Sequence, residues 1–287
     1  MLLTEAKISM ARDDLQSAQK GLAIVLEQQP NNVEALYLEG YIYSTLENWS
    51  KMYDSFSKIK RFDPLYEKDN ITNLSLKAFG MLRNTGINDK FNKAVYLLNN
   101  ENDLSMESEN LLKSALSDLE LADKFKSDDF LTKDIIATIY LQLSNKEKAI
   151  EMFNQAISFA KRPEDNKNVV SAYFNLYNIY LENGENSKAF TMISNVLELD
   201  SMNREALLQL AKHYEGINDY DNALIMYNKL VEIEPTNTDT LFNQGVLFSK
   251  NKSTEKAIQN FKKIIEINPN DEETIYFLTV FYNEKGM

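Results

Sequence analysis

Apolar residues recur at helical spacing along most of this chain, in short stripes separated by turns. Leu207, Leu210, Ala211 and Tyr214 fall at i, i+3, i+4 and i+7, one face of a helix. A break follows at Gly216-Ile217-Asn218-Asp219, and a second stripe runs through Tyr220, Ala223, Leu224, Tyr227, Leu230 and Val231. Pro235 ends it, because proline has no N–H to donate and clashes with the preceding turn. The scheme returns 34 residues later, with Leu241, Gly245, Phe248, Ala257, Phe261, Ile264 and Pro269 in the matching slots. It also runs backwards: Tyr173, Leu176, Tyr177, Tyr180, Ala189, Ile193 and Val196 occupy the same frame, with Ser201 in place of the proline. Near the start Leu36, Gly40, Tyr43, Phe56, Ile59 and Pro64 repeat it, and Ala6, Ala18, Leu22, Val25 and Pro30 precede them. A fixed period of this size predicts stacked two-helix units, none of which can bury its apolar face alone.

Small residues have a packing task in this frame. Gly40, Ala211 and Gly245 sit on first helices, and Ala18, Ala189, Ala223 and Ala257 on second helices. They let two helices approach while Tyr227 and Phe261 fill the space between units. This in-phase pattern resembles the tetratricopeptide repeat, on residues such as Tyr220-Asp221-Asn222-Ala223-Leu224 and Phe261…Ile264…Asn268-Pro269. The resemblance implies an all-α, right-handed α-solenoid (superhelix) of stacked antiparallel helix pairs. Units are expected at 1–32, 33–65, 130–161, 170–203, 204–237 and 238–271.

The organisation expected is therefore two units over 1–65, a divergent helical segment over 66–129, four units over 130–271, and a lone helix over 272–287. In the divergent segment Ile71, Leu74, Ala78, Met81 and Leu82 predict a helix ending near Asn84. Phe91, Ala94, Val95 and Leu98 predict a short one, residues 99–110 a polar loop running into a helix start, and Leu112, Ala115, Leu116, Leu119 and Ala122 a long helix. Ala115 lies 34 residues before Ala149, which makes the long helix the second of a divergent pair and leaves one helix without an assigned partner. Ala149 and Ala189 lie 40 apart, so six extra residues near 161–169 form a longer second helix or an inserted loop. The last helix carries Ile275, Phe277, Leu278, Val280 and Phe281, more apolar surface than a solvated cap needs; it is a cap, a truncated unit or a contact between copies.

Composition narrows the function classes. The 287 residues carry 31 basic and 43 acidic side chains, a net charge of −12, with no basic block. Nucleic acid and anionic membrane both demand a positive face, so neither is expected as a partner. The absence of cysteine excludes disulfides, thiolate metal sites and cysteine nucleophiles. No apolar run is long enough for a membrane span and the first residues lack the core of a signal peptide, so a cytoplasmic location is expected, or a periplasmic or extracytoplasmic one if the N-terminus is truncated. The abundance of Asn and Lys reads as coding bias, and the Asn-X-Ser/Thr matches at Asn48, Asn70, Asn73 and Asn251 as chance. No phosphate loop, dinucleotide fingerprint or His-Glu-x-x-His occurs. Asp219-Tyr220-Asp221 lacks the glycine and closing glutamate of a calcium loop. His213 is the only histidine, and reads as a surface or groove residue; Trp49 matches the slot of Tyr220 and reads as core. A non-catalytic chain with no cofactor and no metal is expected.

Binding is the expectation that remains. In the repeat family, fixed positions of the first helix face a concave groove. Carried onto the regular units, they select Phe174, Asn175 and Asn178, then Leu208, Gln209 and Lys212, then Phe242, Asn243 and Val246, with Lys250 beyond. Asn175, Gln209 and Asn243 share one position, and side-chain amides offer a peptide backbone both a donor and an acceptor. Some relatives clamp a terminal carboxylate with Lys and Arg; the residues matching that clamp here are Phe174, Asp239 and Asn243, so the clamp is missing. The N-terminal groove, with Tyr37, Leu38 and Tyr41, is more apolar. The resemblance thus implies a protein-interaction scaffold or adaptor holding an extended peptide segment. The alternative is a self-assembling repeat region that forms homo-oligomers through its end units.

Overall fold

A computed structural model describes residues 1–101, 105–160 and 166–284, apart from the side chains of 100, 101 and 284. Among the described residues there are helices and turns and no strand. The chain divides into two compact units, Met1–Lys161 and Arg162–Met287.

In the first unit α1 (Leu2–Ala11) pairs with α2 (Leu15–Gln28), and α3 (Val33–Thr45) with α4 (Trp49–Phe62). α5 (Lys68–Asn84) then runs through a π-helical segment, Thr85–Phe91, into α6 (Asn92–Glu101). The expected stop near Asn84 is therefore absent, and the two helices form one helical path. α7 (Met106–Phe125) packs along α5, the π segment and α6, which identifies the partner that the periodicity leaves open. The polar stretch 99–110 is correspondingly less of a loop than its composition suggests. Residues 99–101 close α6, and Glu107 and Glu109 lie in the first turn of α7, where carboxylates meet the positive end of the helix dipole. α8 (Phe130–Gln142) and α9 (Lys146–Phe159) complete this unit.

In the second unit α10 (Asn166–Glu182) pairs with α11 (Asn186–Leu199), α12 (Arg204–Gly216) with α13 (Tyr220–Ile233), and α14 (Thr238–Lys250) with α15 (Thr254–Ile267). α16 (Glu272–Glu284) packs on α15. Part of the six-residue excess lengthens the start of α10, a first helix, while α9 keeps the usual length of a second helix. Residues 161–165 of the expected insertion, and the turn expected at Gly286-Met287, lie outside the described residues.

Local chemistry sets the hairpins. Between first and second helices the turn residue is left-handed: Asp13, Glu47, Ser144, Gly184, Asn218 and Lys252 all have φ of 54–74°. The next N–H donates back across the turn, as from Asn145 to the Tyr140 carbonyl and from Ser253 to the Phe248 carbonyl, both at 2.8 Å. That bond satisfies carbonyls otherwise orphaned at the end of a helix. Most helices then start on a side-chain cap. Asp14, Asn32, Asn48, Asp129, Asn145, Asn203, Asp219 and Asn237 each accept the N–H three residues ahead. Five of the asparagines taken for coding bias do this work.

The small residues seat large ones. Gly40 lies directly under the ring of Phe56, and a Cβ at Gly245 would come within 2.9 Å of the Phe261 ring. On the π segment, a Cβ at Gly86 would come within 2.8 Å of Leu119. The divergent pair thus keeps the glycine-under-apolar contact of the regular pairs, with a different helix geometry around it.

Candidate functional site

All nine candidate groove residues lie in the second unit, on its first helices. Phe174, Asn175 and Asn178 belong to α10; Leu208, Gln209 and Lys212 to α12; Phe242, Asn243 and Val246 to α14. Two polar contacts tie these helices side by side. The Tyr177 hydroxyl donates to Gln209 Oε1 at 3.0 Å, and Lys250 Nζ lies 2.8 Å from Glu215 Oε1. Burial, and then the charge of Glu205, holds the Tyr177 pKa above its ordinary value, so the hydroxyl stays a donor.

The three amides at the shared position are not equivalent. Gln209 is used at both ends: besides accepting from Tyr177, its Nε2 donates to Glu205 at 2.6 Å. Asn175 is half-buried and Asn243 exposed, and neither makes a hydrogen bond among the described residues. Asn178 and Lys212 are exposed. The apolar members are partly used in packing. Leu208 rests on the Leu207–Ala211–Tyr227 cluster. Phe242 meets Phe261 and Phe277 edge-on at 5.5 and 5.4 Å, and Val246 packs in the same cluster. Phe174 is half-buried. His213 stacks on Phe190 of α11, and burial lowers its pKa, which keeps it neutral at neutral pH.

In the first unit, Tyr37 is consumed by packing, stacked on Phe56 at 6.3 Å and edge-on to Tyr66 at 6.0 Å. Leu38 is half-buried in the α1–α3 core, and Tyr41 is exposed. Trp49 is buried. Asp219, of the rejected calcium motif, caps α13.

A charge cluster around α8 escaped the sequence reading. Lys133, only 5% exposed, pairs with Asp123 of α7 at 2.8 Å. The Tyr140 hydroxyl donates to Glu120 of α7. Asp134 is half-buried, its Oδ1 is buried without a hydrogen-bond partner, and burial pushes its pKa up to about 6. The only signal was a Lys-Asp pair inside the apolar stripe from Phe130 to Tyr140. Among the described residues no group of three or more His, Cys, Asp or Glu is placed to hold a metal ion, and no helix is long and apolar enough to cross a membrane.

Helix hairpins joined through successive first helices define a helical-repeat protein, whose units bury their faces only against neighbours. Tetratricopeptide repeat family models match residues 135–162, 205–237 and 226–259. Over those residues the chain carries tetratricopeptide repeats. No curated protein matches it. Among solved structures it is similar to YrrB, described as a TPR protein with an unusual peptide-binding site, at 20% identity and TM-score 0.44, covering 65% of this chain and 89% of that one. It is also similar to the C-terminal part of a TPR repeat-containing protein from Cytophaga hutchinsonii, at 16% identity and TM-score 0.48, covering 68% and 71%. MamA from Desulfovibrio magneticus RS-1 matches at 14% identity and TM-score 0.43, covering 68% and 97%.

Proposed function

We propose that this chain is a non-catalytic protein-interaction scaffold that binds an extended peptide along α10, α12 and α14. The observation that carries the reading is the pair Asn175 and Asn243. They occupy the same repeat position on helices tied side by side, and their amides have no intramolecular partner among the described residues. Asn175, half-buried without a partner, has an unmet demand for hydrogen bonds, and exposed Asn243 is free to make them; a peptide backbone offers one donor and one acceptor per residue. Gln209 contributes differently: tied to Tyr177 and Glu205, it sets the spacing of α10 and α12.

Selection of peptides from a displayed random library, with isothermal titration of the winners, tests this reading. The Asn175→Ala/Asn243→Ala double variant leaves the intramolecular bonds of Gln209 untouched. It should bind a selected peptide at least tenfold more weakly while melting like the wild type. Equal affinity in the two proteins, or a library that yields no binder, refutes the groove.

The second reading is self-association. Ile275 and Tyr276 of α16 are 44% and 66% exposed, an apolar strip on an outer helix. Sedimentation at several concentrations distinguishes the two, because a scaffold stays monomeric without its ligand.

A further inference from the structure

The second helices α2, α11 and α13 are each covered by the next first helix. α4 is not. After it the chain turns through Pro64–Glu67, where Glu67 adopts a left-handed φ of 45°. α5 then leaves so that it touches α4 only sparsely, and α4 also meets α7. The result is a cleft of about 480 Å³ between α4, α5 and α7, wholly inside the first unit.

Its walls and its rim have different chemistry. Tyr53 and Phe125 meet edge-on at 5.3 Å in one wall, and Ile71 contributes to another. Leu65 and Leu76 border the opening with 77% and 51% of their surface exposed. Three exposed lysines lie around it, Lys60, Lys68 and Lys124, against a single lining carboxylate, Asp63. None of the three forms an ion pair with a described residue. The Lys124 ammonium sits 5.9 Å from the centre of the Tyr53 ring. On a chain of net charge −12 this is a local inversion of sign around an apolar hollow.

We propose that this cleft is a docking site, separate from the peptide groove, for an acidic segment of another protein that inserts one or two bulky apolar side chains. The volume falls within the range of sites that hold a small ligand, and the exposed leucines supply the apolar contact. The lysines select the flanks. A basic segment would meet three like charges, whereas carboxylates beside the anchor meet three unpaired ammoniums, which speeds encounter and rejects wrong partners. A second copy of this chain is the poorer occupant, because two bodies of charge −12 repel over the distances at which they must approach.

The experiment probes the full chain with two matched arrays of short peptides, each carrying Leu, Phe or Trp at the centre. One array has Asp and Glu flanks and the other has Lys flanks. The acidic array should be retained and the basic array should not. Retention should weaken roughly tenfold in Lys60→Glu/Lys68→Glu/Lys124→Glu and fall with added salt. Leu65→Ser should weaken it independently of charge, and Asn175→Ala/Asn243→Ala should leave it unchanged. All these side chains are exposed or partly so, and melting curves verify that each variant is folded. The proposal is overturned if neither array is retained, if both are retained alike, or if the lysine variant binds as wild type. It is equally overturned if sedimentation reveals a dimer that Leu65→Ser dissolves, since the occupant is then a second copy.

Discussion

Asp134 makes the folded chain less stable at neutral pH than it is in mild acid, and Asp134→Asn should relieve that. The carboxyl lies on α8, Oδ1 is buried without a hydrogen-bond partner, and burial pushes its pKa from 3.8 to about 6. Between those values the folded state holds a proton that the unfolded state has released. Stability therefore falls as pH rises from about 4 to about 6, and stays at the lower level above that. At about 1.4 kcal/mol per pH unit the gap corresponds to roughly 3 kcal/mol, an upper figure, because an ionised carboxylate draws in water and relaxes its surroundings. Asparagine has nearly the same shape and no charge to desolvate. Urea unfolding of wild type and Asp134→Asn across pH 3.5 to 8 isolates this group, since the other titrations cancel in the difference. The variant should be about 1–3 kcal/mol more stable at pH 7–8, and the difference should shrink towards zero near pH 4. A difference that does not change with pH, or a variant less stable at pH 7, would refute the claim that Asp134 is a desolvated charge.

Three further outcomes follow from the hairpin geometry. Gly245→Ala places a methyl within 2.9 Å of the fully buried Phe261 ring and should cost about 1–3 kcal/mol in urea unfolding. Lys252→Gly removes the strain of a left-handed φ of 56° on a non-glycine residue, and should stabilise by up to about 1 kcal/mol, read as a raised melting temperature. Asn237→Ala removes the cap that accepts the Thr240 N–H at 2.9 Å and should cost about 1 kcal/mol in urea unfolding.

The fold was legible because its main determinants repeat. Ala211, Gly245, Tyr227 and Phe261 recur at one spacing, and the structure places each where a small residue lets a large one seat. What the pattern hid was local. Asparagine at Asn32, Asn48, Asn145, Asn203 and Asn237 is a cap, but in a chain full of asparagine the signal drowned. The break after Asn84 looked like a helix end because Thr85-Gly86 is a poor helix former in isolation. Contact with α7 overrides that, seating Gly86 against Leu119 and carrying the helix on through a π segment. Of the candidate groove, position along the helix was readable and partnership was not. Nothing in Gln209 announced that Tyr177, one unit earlier, would take up its amide.

The two proposed binding surfaces stand in opposite relation to the repeat. The proposed groove on α10, α12 and α14 is defined by positions that recur, so its residues can be found by counting. The cleft on α4, α5 and α7 exists because they fail to recur. The second helices α2, α11 and α13 bury their outer faces under the next first helix, and α4 lacks that cover because the turn at Pro64–Glu67 sends α5 elsewhere. Leu65 and Leu76 stay exposed as a consequence, and Lys60, Lys68 and Lys124 meet there from three separate helices or their turns. No period connects those residues, so a scan for regularity passes over them. A regular array offers many similar faces to a partner, whereas an irregular unit offers one face unlike the others, and selectivity is more readily built on the second.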